Sequence, residues 1–168
     1  MPRSVRSPLG NEPAIKRWRR GRIWMIDGKL ACIQRRRPGI GISVAQVWLQ
    51  GKFGRPAGDI CRLDYHQPFR MRGVLVLNYV LSGDRATYRT FIGAIHMLQH
   101  IARIRGAVAI VAHVTNAEIS DRLLTRQGWD RHLENKPGRH YIRRFYEGYP
   151  DMPIQRYLVR QEGDVERD

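Results

Sequence analysis

Gly73-Val-Leu-Val-Leu-Asn-Tyr-Val-Leu-Ser82 is the strongest strand signal in the chain, an apolar run bounded by Gly73 and Gly83. A run of that kind predicts a strand buried on both faces. From Thr87 to Arg105, Phe91, Ile95, Leu98, Ile101 and Ala102 recur at three- and four-residue steps, with Arg89, Gln99 and Arg103 elsewhere. That spacing predicts an amphipathic helix, and Gly106 ends it. Ala107-Val-Ala-Ile-Val-Ala-His-Val114 reads as a second buried strand. Thr115-Asn-Ala-Glu118 has the pattern of a capping box, opening a helix through Ile119, Leu123 and Leu124. Gly128 stands where a left-handed helix end favours glycine, and Arg139-His-Tyr-Ile-Arg-Arg-Phe-Tyr146 alternates as a final strand. Strand, helix, strand, helix, strand is an α/β layout in which helices cover a sheet.

Ahead of Gly73 the pattern is more broken. Arg22-Ile-Trp-Met-Ile26 and Lys29-Leu-Ala-Cys-Ile-Gln34 flank Asp27-Gly28, the signature of a hairpin. Arg35-Arg-Arg-Pro-Gly39 breaks it; Val44–Gln50 fits a short helix or a strand, and Asp59–Tyr65 reads as a strand. Residues 1–20 set six basic side chains against Glu12 alone, with three prolines and no hydrophobic period, so they are expected to form a flexible basic arm. Residues 151–168 hold five acids against three arginines and are expected to be an acidic tail, frayed at its end. One domain over residues 21–150 remains, a size that suits a single core.

The 168 residues carry 30 Lys+Arg against 15 Asp+Glu, a formal net charge of +15. Only Lys16, Lys29, Lys52 and Lys136 are lysines, so the other 26 basic residues are arginines. Arginine presents a planar fork suited to phosphate and carboxylate. The excess therefore predicts attraction to polyanions, nucleic acid or the phosphates of a nucleotide-like cofactor, unless it is compositional bias alone. No apolar run approaches a membrane span, and Met1-Pro-Arg-Ser-Val-Arg-Ser-Pro8 lacks the apolar stretch of a signal peptide. Cys32 and Cys61 make neither a disulfide framework nor a zinc motif and read as small buried hydrophobes. A cytoplasmic protein with no membrane partner is expected.

Chemistry is expected at the junction Ser82-Gly-Asp-Arg85-Ala-Thr-Tyr-Arg89-Thr90, where a strand feeds a helix N-terminus. Unpaired amides and the helix dipole favour an anion there, and Arg85 and Arg89 reinforce them. The run Val111-Ala-His-Val-Thr-Asn116-Ala-Glu-Ile-Ser-Asp-Arg-Leu-Leu-Thr-Arg-Gln-Gly128-Trp129, after that long helix and strand, resembles the C-terminal half of GNAT (Gcn5-related) N-acyltransferases. The resemblance covers about residues 73–146. It implies a GNAT-like mixed sheet flanked by helices, with acyl-CoA in a V-shaped opening between two parallel strands. In that family an Arg/Gln-x-x-Gly-x-Gly/Ala loop holds the pyrophosphate through backbone amides. The nearest match is Arg89-Thr90-Phe-Ile-Gly93-Ala94, with Ile92 where the first glycine belongs. The family's general-acid Tyr is replaced by Leu124. The resemblance thus implies acyl transfer, acetyl-CoA being the expected donor, to an amine acceptor. Arg85, Arg89, Thr90, Gly93 and Ala94 would lie around the pyrophosphate, Asn116 along the pantetheine arm, and His113 would be the candidate base.

The alternative expectation is a non-catalytic GNAT-like module whose arginine surface binds nucleic acid or another polyanion. Its features are Lys16-Arg-Trp-Arg-Arg20, Arg35-Arg-Arg37 and Arg139-His-Tyr-Ile-Arg-Arg-Phe-Tyr146, the last interleaving cations with aromatics. His96 and His100 share a helix face at ligand spacing, but no third ligand follows, so no metal is expected.

Overall fold

The computed structural model describes residues 2–37, 55–115 and 119–159 of the chain. Strands β1 (Ser4–Val5), β2 (Arg20–Ile26), β3 (Lys29–Arg35), β4 (Ile60–His66), β5 (Val74–Ser82), β6 (Ala109–Val114), β7 (Asp130–His132) and β8 (Arg139–Arg144) form one mixed sheet. Its spatial order is β1-β3-β2-β4-β5-β6-β8-β7. Helices α1 (Glu12–Arg17), α2 (Tyr88–Arg105) and α3 (Asp121–Arg126) accompany it, with a 3-10 turn at Ile154–Tyr157. This is the expected α/β class, a mixed sheet flanked by helices in a single domain. Among the described residues no helix is long and apolar enough to cross a membrane.

The β2–β3 hairpin turns on Asp27 and Gly28, whose φ values of 51° and 73° are the left-handed pair that a two-residue turn requires. On β2, Ile23 and Met25 point into the core while Arg22 and Trp24 face away, the period-2 alternation of a half-buried strand. Helix α2 begins at Thr87, whose hydroxyl accepts the Thr90 amide, and ends at Gly106 with φ 66°. Its buried stripe, including Ile95, Leu98 and Ile101, joins Ile23, Leu63, Leu75 and Ile110 of the sheet in one core. Each such side chain contributes roughly 1.5–3 kcal/mol through burial.

Strand β5 departs from expectation in its second half. It pairs with β6 in parallel from Val74↔Ala109 to Leu77↔Ala112 and there the pairing stops, although both strands run on. Leu75 and Leu77 are buried; Asn78 is exposed, and Tyr79 to Ser82 are only half-buried. The physical reason is local. The β4–β5 register slips between Asp64 and Tyr65, so Asn78 is an extra residue, and a bulge of this kind bends a strand away from its neighbour.

Three further expectations are corrected. Residues 2–20 are no loose arm: β1 pairs with β3, and Val5, Ile15 and Trp18 are buried in the core. Arg105, at the end of α2, donates to the Ile15 and Lys16 carbonyls at 3.1 and 2.9 Å and also to the Trp18 carbonyl, tying α1 down. Within the acidic tail, Met152, Ile154 and Tyr157 are buried as well, so the core extends past residue 150. The third concerns α3, which is capped by Ser120, whose hydroxyl accepts the Leu123 amide at 3.2 Å, and not by Thr115. Val44–Gln50 and residues 116–118, including Asn116 and Glu118, lie outside the described residues.

Candidate functional site

The loop from β5 into α2 was the expected phosphate cradle, and its amides are already spent. Gly83 N–H donates to the Ile60 carbonyl at 2.7 Å, Asp84 N–H to Pro56 at 2.9 Å, Arg85 N–H to Gly58 at 3.2 Å and Ala86 N–H to Gly83 at 3.2 Å. The Thr87 amide donates to Asp59 Oδ1 at 2.7 Å. Asp59 Oδ2 takes the Thr87 hydroxyl at 3.0 Å and the Thr90 hydroxyl at 2.8 Å. Gly28 N–H closes the network by donating to Thr90 Oγ1 at 2.8 Å. Burial alone would raise the Asp59 pKa, but hydrogen bonds from the Thr87 amide and the Thr90 and Thr87 hydroxyls, with the Arg89 charge, bring it below the ordinary value. A helix N-terminus favours one anion, and the chain supplies its own.

The residues expected around a pyrophosphate divide between exposed and buried positions at the start of α2. Arg85 is exposed beside Asp84 at 3.9 Å. Arg89 is exposed, with its stem across Gly28, where a Cβ would come within 2.9 Å of Nε. Thr90 and Ala94 are wholly buried. Gly93 sits against the core: a Cβ there would meet Met25 Cε at 2.7 Å and the Tyr157 ring at 3.0 Å. Arg89 to Ala94 lie inside α2, and Phe91 N–H already donates to the Thr87 carbonyl at 3.1 Å. The Thr90 amide serves the cap at Thr87 Oγ1, and the amides from Phe91 to Ala94 serve the helix. Ile92 and Leu124 are buried apolar residues. His113 is exposed at the end of β6 and stacks on His140, ring centroids 4.4 Å apart. The structure thus leaves Arg85 and Arg89 exposed at the start of α2 and turns Thr90, Gly93 and Ala94 into the core. His96 is engaged elsewhere, its Nδ1 2.7 Å from the Tyr157 hydroxyl. Among the described residues no group of three His, Cys, Asp or Glu could hold a metal.

A different set of residues does converge. The β2–β3 register places Gly21 opposite Arg35, and Arg36 N–H donates to the Arg20 carbonyl at 3.0 Å. Two arginine runs separated in sequence thus meet at one end of the sheet. Gln67 N–H donates to the Arg19 carbonyl at 2.8 Å and brings the β4–β5 loop alongside. The result is an open concavity of about 520 Å³ lined by Arg17, Arg19, Arg20, Arg35, Arg36 and His66. Among the described residues no carboxylate lines it. Phe69 stands at its rim, 73% exposed, with the Arg19 guanidinium 4.8 Å from the ring centre.

Beside this concavity β2 and β4 carry a charge cluster, with Arg62 and Asp64 buried, that sequence reading missed. Arg22 forks onto the Asp64 carboxylate at 2.7 and 2.9 Å, with Arg36 at 3.6 Å and Arg62 at 3.7 Å. The Arg62 guanidinium lies 5.5 Å from the Trp24 ring and 5.2 Å from the Tyr79 ring. Three arginines share one carboxylate, so the cluster adds to the positive field at this end. The signal was present as Arg22, Arg62 and Asp64 on alternating strand positions, but only cross-strand register unites them.

No family profile matches the sequence and no curated protein matches it. Among solved structures, the chain is similar to a crystal structure from Desulfovibrio desulfuricans named as a candidate acetyltransferase of the GNAT family. The two share 15% identity and a TM-score of 0.36, over 49% of this chain and 57% of that one. The likeness thus spans little more than half of that protein, and the functional reading rests on the geometry of the chain itself.

Proposed function

We propose that this chain is a non-catalytic GNAT-like module that binds a polyanion in the arginine concavity. One observation carries the reading: five arginines from two separate runs line one concavity whose described lining holds no carboxylate, with Arg36 also 3.6 Å from Asp64. Guanidinium groups hold phosphate bidentately and stay charged, so such a concavity raises the local concentration of phosphate-bearing ligands. The end of α2 supports the same reading, since Asp59 already takes the Thr87 amide and the Thr87 and Thr90 hydroxyls there. The two free cysteines, one buried, accord with a reducing cytoplasm.

The test is fluorescence anisotropy of a labelled oligonucleotide at 50 and 200 mM salt. If Arg17, Arg20 and Arg35 each neutralise one phosphate, binding weakens roughly 20- to 40-fold over that range. The Arg20→Ala/Arg35→Ala variant binds more weakly and with a shallower salt dependence. Absent or salt-insensitive binding removes the proposal.

A second reading, acyl transfer from acetyl-CoA or another acyl-CoA to an amine, is favoured by the parting of β5 and β6 after Leu77 and Ala112. It assigns Arg85 and Arg89 to phosphate, Asn116 to the pantetheine arm and His113 to the base, and requires residues 56–60 to leave the α2 loop. Acetyl-CoA at 100 times its dissociation constant would then stabilise the fold by about 2.7 kcal/mol, and an unchanged melting curve excludes it.

A further inference from the structure

We infer that the polyanion is a single-stranded nucleic acid, with Phe69 as the platform on which a base stacks. The inference rests on the polyanion reading above and adds the chemical class of the ligand. Phosphate recognition needs only cations, so an exposed aromatic ring at the mouth of a cationic concavity calls for a second kind of ligand surface. Phe69 is 73% exposed, and Met71 two residues on is 56% exposed. Apolar groups in that position gain from a flat, weakly hydrated partner, and unpaired bases present one. In a duplex the base faces are stacked inside and unavailable to the ring.

The loop holding Phe69 is built rather than loose. Gln67 is 9% exposed; its amide group donates to the Arg72 carbonyl, closing the loop on itself, and its Oε1 accepts from Arg105. Met71 N–H donates to the Pro68 carbonyl at 3.4 Å. The ring is thereby held over the concavity with Arg19 on it, 4.8 Å from the centroid. A base on the exposed face of the ring would leave the ring between the base and the Arg19 guanidinium. From that base the sugar-phosphate backbone descends towards Arg17, Arg20 and Arg35, which line the same concavity. The stretch of strand that fits is a few nucleotides, within the range that one small domain covers.

Affinity of the full chain for oligo(dT) of about ten nucleotides, a blunt duplex of equal length and inorganic polyphosphate tests this. Oligo(dT) is expected to bind most tightly of the three. Phe69→Ala is expected to weaken oligo(dT) binding roughly 5- to 150-fold, the range for loss of one base stack, while leaving polyphosphate binding unchanged. Phe69→Trp keeps the single-strand affinity. Phe69 is exposed, so both variants should melt with the parent chain. Equal binding of oligo(dT) by Phe69→Ala and the parent, or tighter binding of duplex or polyphosphate, overturns the single-strand inference and leaves the polyanion reading standing. Failure of all three probes to bind overturns both.

Discussion

Replacing Asp59 by Asn tests whether the end of α2 depends on the chain's own anion. The carboxylate accepts three hydrogen bonds at 2.7, 3.0 and 2.8 Å, from the Thr87 amide, the Thr87 hydroxyl and the Thr90 hydroxyl. Asparagine keeps the shape, removes the charge and turns one acceptor into a donor facing hydroxyl groups. A charge at a helix end contributes about 0.3–1 kcal/mol, and a hydrogen bond to a charged acceptor exceeds a neutral one by about 1 kcal/mol. Solvent reaches this half-buried side chain, so screening holds the total to about 1–2 kcal/mol. For a chain of this size that lowers the melting temperature by about 2–8 °C at pH 7. Circular dichroism melts measure it, and pH supplies the sign. The Asp59 pKa is below its ordinary 3.8 in the folded chain, where the Thr87 and Thr90 hydrogen bonds and the Arg89 charge overcome the effect of burial. A depressed folded-state pKa means the charged form favours folding. Its contribution is complete well above 3.8 and is lost as pH falls through the folded value. The gap between Asp59→Asn and the parent should therefore narrow in acid. No gap at pH 7, or a gap that acid leaves unchanged, refutes the reasoning.

Two other outcomes follow from packing. Ile15→Ala removes a side chain with no exposed surface and should cost about 2–5 kcal/mol in urea unfolding, whereas a loose N-terminal arm would show almost no change. Burial pushes the Cys61 thiol up to about 12, with Asp59 adding to it, so a thiol reagent at pH 8 should label Cys61 only as the chain unfolds. Rapid labelling of Cys61 in the native protein would contradict the placement of β4.

Legibility tracked how local each determinant is. Asp27-Gly28 is a turn because two residues in sequence accept positive φ, and α2 runs from Thr87 to Gly106 because both its caps are local. Thr115 reads as the helix cap in the sequence, whereas in the fold Ser120 caps α3. Ile15 and Trp18 form no period over six residues, so α1 carried no amphipathic signal, yet Arg105 and the core hold it. The apolar run of β5 looked uniformly buried because composition does not reveal the Asn78 bulge, which depends on register with β4.

The site divides in the same way. The arginine excess, its clustering in two runs and the α/β order of the second half are properties of the sequence alone, because charge and hydrophobic period are local. Sequence also placed a helix N-terminus after β5 and expected an anion there. Tertiary structure decided that the anion is Asp59, which stands just ahead of β4 and 28 residues before Thr87. It also decided that Arg17, Arg19 and Arg20 face Arg35 and Arg36 across the β2–β3 pair, with Phe69 at the rim. A carboxylate and a helix end meet, or two basic runs converge, only when strand pairing brings distant segments to one edge. Pairing is set by register and shared burial, which no single stretch of sequence contains.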